Sequence, residues 1–306
     1  MSSSQSPPQP GGVQVRIRSL LPSLRPAEQR VAEHILNDPS GAPNLTITEL
    51  AQACGTSETT VIRFCRAIGF DGYPGLRLAL ASDAGREAGT DNAAVGGDIS
   101  PSDSLAEVVR KVGWHDARAI EDTVSQIDVE VLEQVVEACA GAGRIDVYGV
   151  GASAFVALDL QQKLYRIGRH AFAWSDTHVM LTSAALLGAG DVAVAISHSG
   201  ETDDTIDALT QARERGATTV AVTNFPRSGI SAVADHVLST AARETTFRSG
   251  ATASRIAQLS VIDFIFVGVA QQTYDQARGA LEATYLAVQG RRGGASHDRK
   301  SRRGTA

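Results

Sequence analysis

The chain has 306 residues, 43% of them apolar and 20% charged, with a formal net charge of −6. That length and balance describe a water-soluble globular protein with room for two compact domains, and they exclude a disordered or fibrous chain. The acidic total also excludes nucleic-acid binding by bulk charge, so any such role has to come from one local surface. Three cysteines, Cys54, Cys65 and Cys139, make no C-x-x-C pair, which fits a reducing, cytoplasmic setting. No apolar run approaches the roughly 20 residues that span a bilayer, and VIDFIFVGVA (261–270) reads as a core helix segment. The expectation is a cytoplasmic protein with no membrane partner and no signal peptide.

In chain order, residues 1–12 (MSSSQSPPQPGG) are polar, Pro- and Gly-rich, and are expected to be disordered. Residues 13–82 read as an all-α domain of short helices. Pro26 suits the start of a helix that carries Val31 and Ile35 on one face. In LTITELAQACGTSETTVIRFCRAIGFDGY, Thr46 and Glu49 form a capping box that opens the next helix. Ala51 is small where two helices approach, Gly55 falls in the sharp turn, and Val61 points back into the junction. Leu50, Cys54, Ile62 and Phe64 are apolar fillers at compatible positions. Together these spacings describe a helix-turn-helix.

The second helix of that motif offers Ser57, Thr59, Thr60, Arg63 and Arg66 to a DNA groove. Hydroxyls and a helix N-terminus suit phosphates, and Arg63 has the reach and the fork for guanine. Tyr73 and Arg77, just past the GFDGY turn, read as backbone contacts. The blander reading makes Ser57 a helix cap and the arginines a solvated face.

Residues 83–103 are small, polar and Gly-rich, as in a linker. From 104 to 289 helices alternate with short β-branched runs. Strands are expected at 144–149, 170–174, 191–197, 218–223 and 235–239, with helices at 152–167, 177–188, 203–215 and 229–234 between them. Longer helices at 104–126, 128–140 and 252–286 flank this core. Continuously apolar strands between helices imply a parallel sheet covered on both faces: an α/β, doubly wound, flavodoxin-like domain with five strands. Ligands then belong at the carboxyl ends of the strands. The end, 290–306, is basic and Gly-rich, and reads as a disordered solvated tail, with weak DNA contact as the alternative.

Two loops carry the chemistry. YGVGASA (148–154) satisfies the dinucleotide fingerprint through Gly149, Gly151 and Ala154. That reading needs an acidic residue at the end of the next strand; the nearest, Asp176, suits a helix N-cap instead. It also leaves SHSGET (197–202) without a job. A second reading uses both loops: Ser153 at one helix N-terminus and Ser197, Ser199 and Thr202 at another would converge on a phosphate, with Gly200 allowing close backbone approach. No lysine is required.

GVGAS, KLYRIG, AISHSGET, GATTVAVTN and SRIAQL, in this order, resemble a SIS (sugar isomerase) domain. Preceded by SETTVIRFCRAIGFDGY, the chain from about 17 to 285 is similar to the RpiR/MurR family of bacterial transcriptional regulators. The resemblance implies a DNA-binding module joined to a sensor for a phosphorylated sugar. Ser197, Ser199 and Thr202 match the family's S-x-S-G-x-T phosphate loop, and Ser153 matches the serine of its first glycine loop, beside Gly151. Glu244 falls where SIS enzymes place a residue facing the sugar. His198 occupies a variable position of the phosphate loop, and His178 is a further candidate for the pocket. Lys163, Arg166 and Arg255 read as packing and ion-pair residues. The implied partners are a double-stranded operator with inverted half-sites, a sugar-phosphate effector and a second copy of the chain; no cofactor or metal is expected. The alternative is a sugar-phosphate isomerase or etherase, for which Glu244, Glu201, His178 and His198 are the available acid–base groups.

Overall fold

The computed structural model describes residues 12–39, 41–88, 98–244 and 253–301. Of the expected disordered start (1–12), residues 1–11 lie outside the described residues, as do 89–97 of the expected linker (83–103), whose first residues, 83–88, are helical instead.

Five helices make the first unit: α1 (Val13–Leu20), α2 (Pro26–Asn37), α3 (Ile47–Ala53), α4 (Glu58–Ala67) and α5 (Tyr73–Ala88). The capping box forms as read: the Glu49 amide donates to the Thr46 hydroxyl at 3.3 Å and the Thr46 amide to the Glu49 carboxylate at 2.7 Å. Ser57 caps α4 in the same way, accepting from the Thr60 amide at 3.3 Å. Between α3 and α4 the chain turns through Gly55 at φ +55°. Arg30 of α2 donates to the carbonyls of Cys54 and Gly55, both at 3.1 Å, and so satisfies groups orphaned at the end of α3. Ile17, Val31, Ile35, Leu50, Val61, Phe64 and Leu76 are fully buried among these helices. Each such side chain contributes about 1.5–3 kcal/mol relative to leaving it in water.

The second unit begins with α6 (Leu105–Gln126) and α7 (Val129–Gly141), then alternates β1 (Ile145–Gly149), α8 (Ala152–Arg166), β2 (Ala171–Trp174), α9 (Thr177–Ala184), β3 (Val192–Ile196), α10 (Asp203–Glu214), β4 (Thr218–Thr223), α11 (Gly229–Val233) and β5 (His236–Ser239). All strand pairs are parallel, in the order β2-β1-β3-β4-β5. Along the central strands side chains alternate by size. Val147, Val194, Ile196, Val220 and Val222 face α7 and α8, while Ala193, Ala195 and Ala221 face α9, α10 and α11. Small residues on that second face let its helices lie close.

The expected single helix at 252–286 is two: α12 (Ala253–Gln272) and α13 (Tyr274–Ser301). At the break the Thr273 hydroxyl donates to the Val269 carbonyl at 2.8 Å, a back-bond that bends helices. The region read as an irregular tail also differs, because α13 continues through Ser301. Its first turns are docked through buried Ala277, and a helix once nucleated propagates cheaply. By length and composition α12 is apolar enough to cross a bilayer. It packs instead on α6, α7 and α8, with Ala257, Val261, Ile262, Ile265 and Val269 buried, and is a core helix.

All three cysteines are buried and unpaired. Burial pushes the Cys65 thiol up to about 11 and the Cys139 thiol up to about 12, so both act as small core hydrophobes.

Candidate functional site

On the helix-turn-helix, α4 divides cleanly. Thr60, Val61, Phe64 and Cys65 face the core, while Thr59, Arg63 and Arg66 are exposed at the i, i+4, i+7 spacing of one helical face. Ser57 is exposed at the start of that face, and Arg77 is exposed on α5. Two of the residues read as DNA contacts are placed elsewhere. Thr60 is 4% exposed, and its hydroxyl is taken up by Ser57 and Arg63. Tyr73 is 6% exposed; its hydroxyl donates to the Leu45 carbonyl at 2.7 Å and reaches that of Ala42 at 3.4 Å. Tyr73 is thus a strut inside the domain, since its ring fills the core while its hydroxyl satisfies two carbonyls.

In the sheet, β1 and β3 are neighbours, with Gly149 opposite Ile196. The chain leaves β1 toward α8 on one face and leaves β3 toward α10 on the other. A crevice opens where those connections diverge, at the carboxyl ends of the strands. The two serine loops sit on either side of it. Gly149 is required there, because a β-carbon would fall 2.6 Å from the Ser153 carbonyl oxygen of α8.

The two helices that leave these loops, like α1 and α11, start without a side-chain cap. Thr46, Ser57, Ser104, Asp128 and Asp176 each cap a helix with a side chain, whereas Gly151 before α8 and Thr202 before α10 supply no side-chain cap. The Ser153 and Ala154 amides donate to the Val150 and Gly151 carbonyls, both at 3.2 Å, and the Thr205 amide to the Thr202 carbonyl at 3.1 Å, which among the described residues leaves the amides of Ala152, Asp203 and Asp204 for another acceptor. The loop between β3 and α10 folds around its own hydroxyls: the Gly200 amide donates to Ser197 at 3.1 Å, the Glu201 amide to Ser199 at 3.2 Å, and Ser197 and Thr202 lie 3.1 Å apart. Asp176 does cap α9, accepting from the Val179 amide, which removes it as a ribose ligand. His178 is exposed at the start of α9. Lys163 pairs with Asp159 and Asp263, as expected of an ion-pair residue.

Four further residues complete the surroundings. His198 packs edge-on against Phe225, with ring centroids 5.6 Å apart. Burial holds its imidazole below the ordinary value, and the Glu244 carboxylate offsets part of that shift. Glu244 accepts a hydrogen bond from Ser254 at the start of α12. Asn224, 4% exposed at the end of β4, accepts from the Ala242 amide at 2.7 Å and from Thr240 at 3.2 Å, and so braces the segment leading to Glu244. Gln258 of α12 faces Ser153. Sequence reasoning missed Ser254, Asn224 and Gln258. The available signal was a pair of polar residues four apart at the head of an otherwise apolar helix.

Comparison with known proteins matches residues 11–87 to the "Helix-turn-helix domain, rpiR family" and residues 139–268 to the "SIS domain". An uncharacterized HTH-type transcriptional regulator of Caldanaerobacter subterraneus subsp. tengcongensis is 40% identical over 268 residues, 88% of this chain and 94% of that protein. The chain belongs to the RpiR family. A second relative, the uncharacterized HTH-type transcriptional regulator YbbH of Bacillus subtilis, is 35% identical over 92% of this chain and 98% of its own length. Among solved structures, Vibrio vulnificus NanR in complex with ManNAc-6P is 30% identical, covering 90% of this chain and 98% of that one with a TM-score of 0.57. The sugar isomerase domain of an RpiR transcription factor from Sphaerobacter thermophilus is 27% identical over 59% of this chain and 99% of that one, with a TM-score of 0.55. As an RpiR-family member, the protein is a transcriptional regulator with a helix-turn-helix and a SIS domain.

Proposed function

We propose that a phosphorylated sugar bound in the crevice between β1 and β3 sets the affinity of this regulator for its operator. The observation that carries this reading is the pair of helices, α8 and α10, that open onto the crevice without side-chain caps, each beside a serine-bearing loop. Amide dipoles and hydroxyls favour an oxyanion there. The phosphate rests against Gly151, Ser153, Ser197, Ser199, Gly200 and Thr202, and the sugar is turned toward His198 and Glu244. The NanR complex with ManNAc-6P supports a sugar phosphate as the ligand class.

On the other unit, Ser57, Thr59, Arg63 and Arg66 form the face of α4 that enters a major groove, with Arg77 on the backbone. Two copies of the chain present two such helices to an inverted repeat. The sugar changes DNA affinity by its difference in affinity for the two arrangements of the dimer, on the order of 1–3 kcal/mol.

The test is a calorimetric titration of the full chain with hexose, N-acetylhexosamine and pentose phosphates, followed by gel shifts on upstream DNA with and without the binder. Saturable binding without turnover, and an operator affinity altered by the binder, are expected. Conversion of a sugar phosphate by the pure protein would overturn the regulator mechanism in favour of an isomerase, with Glu244 and His198 as its acid–base groups.

A further inference from the structure

We infer that Gln258 reads the sugar moiety of the effector, from the α8 side of the crevice, with His198 doing so from the β3 side. This rests on the phosphosugar reading above and assigns the end of the ligand that the serine hydroxyls do not hold.

Gln258 is 1% exposed. A primary amide has two N–H donors and a carbonyl with two lone pairs, and a buried one ordinarily uses most of them. Among the described residues its side chain meets only the Ser153 hydroxyl, which lies 3.4 Å from Oε1 and 3.4 Å from Nε2 alike. Well-formed bonds of these kinds are about 2.7–3.0 Å long, so the hydroxyl straddles the amide without satisfying either end. One turn earlier on the same stripe, Ser254 is also 1% exposed and bonds to Glu244. Across the crevice, the buried Nδ1 of His198 has no hydrogen-bond partner among the described residues. Two buried, underused polar groups flank one crevice, and each costs free energy until something meets it.

Their chemistry says what meets them. An amide and a neutral imidazole each present a donor together with an acceptor. That suits a hydroxyl or an acetamido group, which also donate and accept. A phosphate dianion only accepts, so it would use the N–H donors of Gln258 and leave the carbonyl oxygen unmet. The uncapped amides of α8 and α10 only donate, and so suit the phosphate. The crevice is therefore divided: donors alone at the helix ends for the anion, and mixed groups at Gln258 and His198 for the neutral sugar.

The experiment compares wild type and Gln258→Leu as full-length protein. Calorimetry uses a panel of hexose 6-phosphates and N-acetylhexosamine 6-phosphates, with inorganic phosphate as the probe of the anion end, and thermal melting is recorded for each protein without ligand. The tightest phosphosugar should lose roughly tenfold or more in affinity in Gln258→Leu, the usual consequence of one lost hydrogen bond plus an unpaired ligand group. Inorganic phosphate should bind within about twofold of wild type, and the ligand-free variant should melt no lower, because an apolar side chain replaces an underused amide. Unchanged phosphosugar affinity overturns the inference. A parallel loss for inorganic phosphate overturns it too, since Gln258 would then belong to the anion end. A ligand-free variant that melts several degrees lower with unchanged affinity assigns Gln258 to the fold alone. A wild type that binds inorganic phosphate but no sugar phosphate ends the effector reading itself, which is a distinct failure.

Discussion

Gly200 lies against Ser228 so closely that a β-carbon on it would stand 2.0 Å from the Ser228 hydroxyl oxygen and 2.9 Å from that of Thr223. The same glycine has φ +70° and passes its carbonyl to the Ile230 amide at 2.9 Å. The serine loop after β3 is thus clamped on the turn before α11, with Glu201 adding a bond from the Gly229 amide at 2.9 Å. Gly200→Ala combines a left-handed backbone with a steric overlap, and should cost about 2 kcal/mol or more of stability. Denaturant titration gives the loss, and calorimetry should find phosphosugar affinity reduced in the folded remainder. A variant as stable as wild type would show that this turn yields freely, contrary to the packing.

Ser199 is exposed at the mouth of the crevice, where its hydroxyl holds the Glu201 amide at 3.2 Å. Removing it takes little from the fold but one donor from the anion. Ser199→Ala should weaken phosphosugar binding by roughly 1.5–3 kcal/mol, the range for a hydrogen bond to a charged group. Ligand-free operator affinity should not move. Equal phosphosugar affinities by calorimetry would take Ser199 out of the site.

On α4, Arg63 and Arg66 share the exposed face with Thr59. An arginine bidentate to guanine contributes about 1–3 kcal/mol of discrimination, whereas one on a phosphate mainly changes the salt slope. Arg63→Ala should lower operator affinity by about 1–3 kcal/mol in gel shifts and relax the sequence preference, with phosphosugar binding intact. Arg66→Ala should weaken specific and non-specific DNA alike. Wild-type titration curves for Arg63→Ala would remove it from the reading helix.

Much of this architecture was legible because local chemistry and the tertiary fold agree. Thr46, Glu49, Gly55 and Val61 each have one physical use at their spacing, and the structure puts each to it. The valine-rich strands likewise announce a sheet buried on both faces. Tyr73 was misread because a tyrosine suits a surface and a core equally, and only the carbonyls of Leu45 and Ala42 decide between them. Gln258 was invisible for another reason: its neighbour Ser153 is 105 residues away, and the pair meets only once α12 packs on α8. The run of α13 past Gln289 escaped because glycines and charges argue against a helix that docking at its start sustains.

His198 gives the fold a distinct dependence on pH. Burial lowers its folded-state pKa below the ordinary 6.5, with Glu244 offsetting part of the shift. In the unfolded chain the imidazole titrates near about 6.5. Between the two values the unfolded state binds more protons, so stability rises with pH there. Its contribution is present in full above about 6.5, is lost as pH falls from there toward the folded value, and changes no further below it. A single proton limits the slope to about 1.4 kcal/mol per pH unit. His198→Gln keeps a polar side chain and deletes the titration. Urea denaturation of both proteins between about pH 7.5 and about pH 5 should give wild type the steeper loss, because every other ionising group is common to the two. Parallel profiles would mean that the imidazole titrates alike in both states, and that its burial exacts no penalty on its charge.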